Sequence, residues 1–278
     1  MKTRISLFFC LFTCLVVSAQ TQPNIIFVMI DDLNDFVEGF GGHPQTITPN
    51  IAELESKGTT FVNSYCTAPQ CGPSRLSLLS GKDLAYTQVY DNSEYICNAF
   101  SDHFKPAYGN AEYFTLPGYL KDSAGYFTLG LNKIFHCYDD FPEYDSVTSD
   151  PCAKNLSWNK VLYHSDSAAT VPLTLLYDDG LAPFRWGKFD SLEEPLLMDY
   201  VITDSAINWL NAYAADPSIA CDKPFFMGIG YRKPHFPSFV PEQYFSPYYL
   251  EDFYGTDFDI PYNYPEGSTP YNGIILNQ

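Results

Sequence analysis

The chain has 278 residues, enough for one large domain or two small ones, and its 46% hydrophobic against 17% charged residues argue for a packed core rather than disorder. With 33 acidic and 15 basic residues the formal charge is -18. Such a field repels nucleic-acid phosphates, and it admits an anionic ligand only where cations cluster locally.

The first residues predict an export signal. Lys2 and Arg4 precede an apolar run from Ile5 to Val17, and Val17-Ser18-Ala19 offers a small-residue cleavage site. The run is short for a bilayer span, and no later stretch is long and apolar enough, so no transmembrane anchor is expected. The signal is placed at 1–19, leaving a mature chain of net charge -20 in a secreted, periplasmic or lysosomal setting. There, disulfides are permitted among Cys66, Cys71, Cys97, Cys137, Cys152 and Cys221, although the sequence does not fix their pairing. Asn155-Leu156-Ser157 would accept a glycan if the host glycosylates.

Asn24 to Ile30 is a continuous apolar run and predicts a strand buried on both faces, as in a parallel sheet. It ends at Asp31-Asp32. Thr48-Pro49 predicts an N-cap and first helical position, with the helix stopping at Gly58. Thr59 to Cys66, β-branched and aromatic, predicts a second strand. A tight loop leads from Ala68 to Pro73 into a short helix that Gly81 stops. Leu116–Ser123 predicts a helix, Tyr126–Leu131 a strand, Met198–Ala215 a helix and Pro224–Gly230 a further buried strand. Between them, about 137–196, lies an irregular stretch rich in Asp, Pro and Tyr, expected to be an insertion; the tail from Pro241 reads as loop. Alternating strands and helices predict an α/β fold with a mostly parallel sheet flanked by helices.

Three features fall where predicted strands or tight loops end, the edge at which such sheets gather ligands. Asp31-Asp32 places two adjacent carboxylates together. They read equally as solvated turn acids or as ligands of a hard divalent cation. Cys71-Gly72-Pro73-Ser74-Arg75 sets a thiol at a helix start, where backbone N–H groups favour an anion. An activated thiolate, a buried structural Cys and a disulfide with Cys66 are all compatible with that position. Lys133 and His136, and Lys233 and His235, follow separate strands and suggest an anion pocket. His43, His103 and His164 read as ordinary surface or core residues.

Together these features resemble the sulfatase family of the alkaline-phosphatase superfamily. Cys71-Gly72-Pro73-Ser74-Arg75, continued by Leu78-Leu79-Ser80-Gly81-Lys82, is similar to the family signature. Pro23 to Leu33 resembles its first strand and metal-binding acids, and the Lys133…His136 and Lys233-Pro234-His235 segments look most like the iduronate-2-sulfatase branch. The resemblance runs from about Pro23 to Val240 and implies an alkaline-phosphatase-like sulfatase domain.

The activity implied is hydrolysis of a sulfate ester on a small molecule, sugar or glycan. A phosphate or phosphonate ester hydrolase, or a non-catalytic relative that binds sulfated glycans, are the alternatives. The resemblance also implies that a maturation enzyme converts Cys71 to formylglycine, whose hydrate attacks sulfur and then expels sulfate. It gives Asp31, Asp32 and the modified Cys71 to calcium, Arg75 to orienting the nucleophile, and Lys133, His235 and Lys233 to the sulfate. His136 would assist at the nucleophile or the leaving group. Two departures are visible. Asn132 stands where the family often has Gly, and no second metal-binding acidic pair follows His235, so the chain reads as the N-terminal part of a sulfatase or a shortened relative.

Overall fold

The computed structural model describes residues 22–39, 45–95, 115–136, 157–162, 174–178 and 185–248. The expected signal, Cys97, Cys137, Cys152, the Asn155 acceptor, most of the expected insertion and the tail beyond 248 lie outside the described residues.

Four parallel strands form the main sheet: β1 (Ile25–Ile30), β2 (Phe127–Asn132), β3 (Lys160–Leu162) and β6 (Phe225–Tyr231), in spatial order β1-β6-β2-β3. The α-helices among the described residues are α1 (Pro49–Lys57), α2 (Cys71–Ser80), α3 (Leu84–Thr87), α4 (Leu116–Asp122) and α5 (Met198–Ala215). A second sheet joins β4 (Thr174–Asp178) antiparallel to β5 (Arg185–Phe189), and β5 parallel to β7 (Ser238–Pro241). The span expected to be an irregular insertion therefore holds three short strands, one of which extends the main sheet.

Strand alternation divides the core in two. Phe127, Leu129 and Leu131 of β2 and Phe225, Met227 and Ile229 of β6 face α5, meeting Ile202, Ala206 and Trp209. Trp209 lies edge-on to Phe225 at 5.1 Å. On the other face Met29 and Phe226 meet Leu76 and Leu79 of α2, together with Ile134 and Trp158. Burying each of the large side chains stabilises the fold by ~1.5–3 kcal/mol.

Two expected elements differ from what is observed. Among the described residues β1 is an edge strand covered on one face only: Ile25, Phe27 and Met29 pack toward α2, while Ile26 and Val28 stay about half exposed, at 49% and 48%. The predicted strand over Thr59–Cys66 is irregular, with Phe61, Val62 and Tyr65 exposed. β-Branched and aromatic residues favour a strand only where a neighbour supplies ladder partners, and this segment has none among the described residues.

Because β1, β6 and β2 run parallel, their carboxyl ends share one edge. There Asp31 N–H donates to the Tyr231 carbonyl (3.1 Å) and Lys133 N–H to the Gly230 carbonyl (3.3 Å). The chain after β2 passes so close to β6 that a Cβ at Gly230 would lie 2.0 Å from the Lys133 carbonyl oxygen. Only glycine fits there.

Candidate active site

Helix α2 begins at Cys71, one residue after an extended Gln70, and ends at Gly81 in the left-handed conformation (φ 67°), as Gly81 predicts. Arg75, one turn in, is buried. It donates through Nη1 to the carbonyls of Lys133 and Ile134 and through Nη2 to Asp31 Oδ1 (3.0 Å). Lys133 places Nζ 2.5 Å from Asp31 Oδ2. Two cations from α2 and the β2 exit thus converge on one carboxylate at the β1 exit. Burial alone would raise the Asp31 pKa, but Arg75 and Lys133 outweigh it and hold the carboxyl below its ordinary value.

His235 reaches the same place from the β6 exit. Its Nδ1 lies 2.5 Å from the Phe236 carbonyl, which can only accept, so Nδ1 carries the proton and Nε2 faces the cluster. Nε2 is 3.9 Å from Asp32 Oδ2, and the ring hydrogen-bonds Cys71. That bond raises the His235 pKa against the opposing effects of burial and Lys133. Burial pushes the Cys71 thiol up; the bond to His235, the charge of Lys133 and a bond to Asn92 together bring it below its ordinary value.

Asp31, Asp32, Cys71 and Arg75 line one cavity of about 570 Å³, with Cys66 on its wall. Cys66 and Cys71 are free thiols, so no disulfide joins them. Cys221 is disulfide-bonded.

The remaining expected residues sit less directly. The half-buried His136 lies edge-on to Tyr95 (4.9 Å between centroids), which in turn packs against Gly72. Lys233 donates from Nζ to the carbonyls of His235 (3.4 Å) and Pro237, within its own loop.

Asp31 Oδ2 is buried, and the group facing it is the Lys133 ammonium. Carboxylates are the donors a hard cation takes, but Asp31 and Asp32 supply only part of the ~6–8 oxygens of calcium, and both Asp31 oxygens already face cationic side chains. Among the described residues, no group of three or more His, Cys, Asp and Glu side chains converges as a metal site.

Sequence reasoning missed several partners. Asn92 accepts the Gly72 N–H at Oδ1 (2.8 Å), and Asp199 accepts the N–H groups of Arg232 (2.9 Å) and Lys233 (2.8 Å), fixing the loop that carries His235. Asp91-Asn92-Ser93 signals only a turn. Asp199 signals only an acid in the first turn of a helix.

The family model described as Sulfatase matches residues 23–259. The chain belongs to the sulfatase family. It is 28% identical over 231 residues to a sulfatase of Formosa agariphila, covering 83% of this chain and 42% of that protein. It is 31% identical over 242 residues to iduronate 2-sulfatase of Mus musculus, covering 84% and 39%. The chain thus spans about 40% of the length of these sulfatase relatives. Among solved structures, a phosphonate monoester hydrolase of Agrobacterium radiobacter matches at TM-score 0.54 and 16% identity, over 82% of this chain and 44% of that one. That likeness shows a shared α/β fold. The family departure at Asn132 has a conformational reading. Asn132 takes φ 52°, the left-handed region that Gly enters freely and Asn tolerates better than other residues.

Proposed function

We propose that the chain carries the nucleophile half of a secreted sulfatase that hydrolyses a sulfate ester on a sugar or glycan, with residue 71 converted to formylglycine. The observation that carries this reading is the convergence of Cys71, Arg75, Lys133 and His235 on one sheet edge in a protein of net charge -18. An anion is excluded almost everywhere else by that charge.

Each residue has a task in this reading. The α2 N-terminus presents residue 71 where backbone N–H groups favour negative charge. Arg75 is fixed by two carbonyls and Asp31, so it holds that carboxylate and the helix rather than moving onto substrate. Lys133 and His235 contact sulfate oxygens, where charge shifts in the transition state and a preorganised donor is worth most. With His235 Nδ1 tied to the Phe236 carbonyl, only Nε2 is directed at the reacting group. His136 acts with Tyr95 beside the helix start, and Lys233 adds positive charge to the sulfate side. Asp31 and Asp32, with residue 71, are the residues that would hold calcium, which would supply Lewis-acid polarisation at the sulfuryl group.

Partners follow from the same chemistry. A formylglycine-generating maturation enzyme acts on residue 71, and residues 1–19 direct export. The Cys221 disulfide supports an oxidising destination, and among the described residues no helix is long and apolar enough to cross a membrane. Mouse iduronate 2-sulfatase and the ulvan-active sulfatase of Formosa agariphila, both relatives by sequence, support a glycan substrate.

The test is peptide mass spectrometry of protein made with a maturation enzyme, followed by turnover of aryl sulfate beside aryl phosphate. Aldehyde at residue 71 with preference for the sulfate is expected. Unmodified Cys71, or faster phosphate turnover by converted protein, would sink the assignment.

A further inference from the structure

Helix α2 lacks a conventional cap. Gln70 stands at the N-cap position, but its side chain makes no bond to the helix amides. Instead its Oε1 accepts the N–H of Asn92 (2.8 Å), and Asn92 Oδ1 accepts the N–H of Gly72 (2.8 Å). The exchange is reciprocal, in the manner of a capping box, but its second residue comes from a turn about twenty positions downstream. That turn is held by Asp91, whose carboxylate accepts the N–H groups of Ser93 (2.7 Å) and Glu94 (3.2 Å).

The Gly72 bond fixes which way the carboxamide points. A backbone N–H can only donate, so the atom facing Gly72 is Oδ1. Nδ2 is then the atom 3.4 Å from Cys71 Sγ. One side chain therefore grips two successive residues, accepting from one and donating to the other. Only a carboxamide offers both functions; a carboxylate keeps the acceptor and loses the donor.

Gly72 is what admits this contact. A Cβ at residue 72 would lie 2.7 Å from Asn92 Oδ1 and 3.3 Å from Tyr95. Any larger residue there pushes the carboxamide away.

We propose that Asn92 is a positioning residue for the nucleophile, capping α2 at Gly72 with its oxygen and orienting the side chain of residue 71 with its nitrogen. This rests on the reading of residue 71 as the nucleophile. The donor serves a sulfur or a hydroxyl at residue 71 alike, since each offers a lone pair.

The experiment uses the full chain as wild type, Asn92→Ala, Asn92→Asp and Gly72→Ala. Amide hydrogen exchange at Gly72 reads the acceptor half. Iodoacetamide labelling at neutral pH, resolved by peptide mass spectrometry, reads the donor half at Cys71, with the free thiol of Cys66 as internal control. Asn92→Ala should speed Gly72 exchange on the order of tenfold, the factor that a lost hydrogen bond of ordinary net strength carries, and should slow Cys71 labelling. Asn92→Asp should keep Gly72 protected yet still slow Cys71 labelling severalfold, with Cys66 unchanged. Gly72→Ala should slow Cys71 labelling as Asn92→Ala does.

Cys71 labelling at the wild-type rate in Asn92→Asp or in Asn92→Ala overturns the proposal, as does unchanged Gly72 exchange in Asn92→Ala. Should Asn92→Ala fail to fold, Asn92→Asp alone decides. Absence of aldehyde at residue 71 after maturation would remove the nucleophile reading by itself, a result separable from the exchange and labelling data.

Discussion

β1 and β6 carry nearly the same kind of sequence, yet they live in different surroundings. β6, between β1 and β2, buries Phe225 through Gly230 on both faces. β1, at the edge, buries only the face turned toward α2. A continuous apolar run reports that a strand can be buried on both sides, but its place in the sheet decides whether it is. The site spans both environments. Asp31 leaves the edge strand, and it is fixed by Lys133 from the interior β2 and by Arg75 from α2.

That dependence gives the largest expected effect. Arg75→Met leaves Asp31 buried with one cation instead of two and should cost ~3–5 kcal/mol, the range for breaking a buried ion pair from one side. Denaturant unfolding measures it. A loss under about 1 kcal/mol would mean that Lys133 alone satisfies the edge carboxylate. Leu129→Ala, in the fully buried interior of β2, should follow at ~2–5 kcal/mol through lost burial and a cavity. It should leave labelling of Cys71 unchanged, since Leu129 faces α5 on the opposite side of the sheet.

The ion pair also sets a pH dependence. Asp31 has a folded pKa below the ordinary carboxylate value of 3.8. Its stabilisation is therefore fully present above the unfolded value and is lost as pH falls through the folded one. The stability gap between wild type and Arg75→Met should be constant near neutrality and shrink below about pH 4. Unfolding curves across that range check the sign; a gap that widens on acidification would show that another group governs it.

Much of this arrangement was legible in the sequence. The apolar runs of β1 and β6, the Gly81 stop after α2 and the helical spacing of α5 each reflect local chemistry that short windows capture. So does the placing of Asp31, Lys133 and His235 after strands, because parallel topology brings such exits together. What was not legible depends on contacts distant in sequence. Asn92 and Asp199 act through backbone amides on segments about twenty and about thirty residues away, and their own neighbourhoods look like an ordinary turn and an ordinary helix start. Thr59–Cys66 failed for the same reason in reverse: its strand-like composition finds no ladder partner among the described residues. Lys233 carries the charge an anion site wants, but its ammonium is directed to carbonyls of its own loop.

The smallest expected effect tests the edge directly. Val28 of β1 and Ile229 of β6 are register partners on adjacent strands, yet Val28 is 48% exposed and Ile229 only 6%. Threonine at either position keeps the β-branched shape that strands favour and adds a hydroxyl. At Ile229 that hydroxyl enters the apolar layer against α5, where an unpaired polar group costs ~1–3 kcal/mol before lost packing is counted. At Val28 it meets solvent, so the change should stay within about 0.5 kcal/mol. The Val28→Thr protein should also self-associate less, because a partly exposed apolar strand face at a sheet edge is an adhesive surface. Paired unfolding curves and sedimentation measure both. Equal destabilisation by Val28→Thr and Ile229→Thr would mean that the outer face of β1 is covered in solution, and the contrast between edge and interior would then belong to the sheet order alone and not to burial.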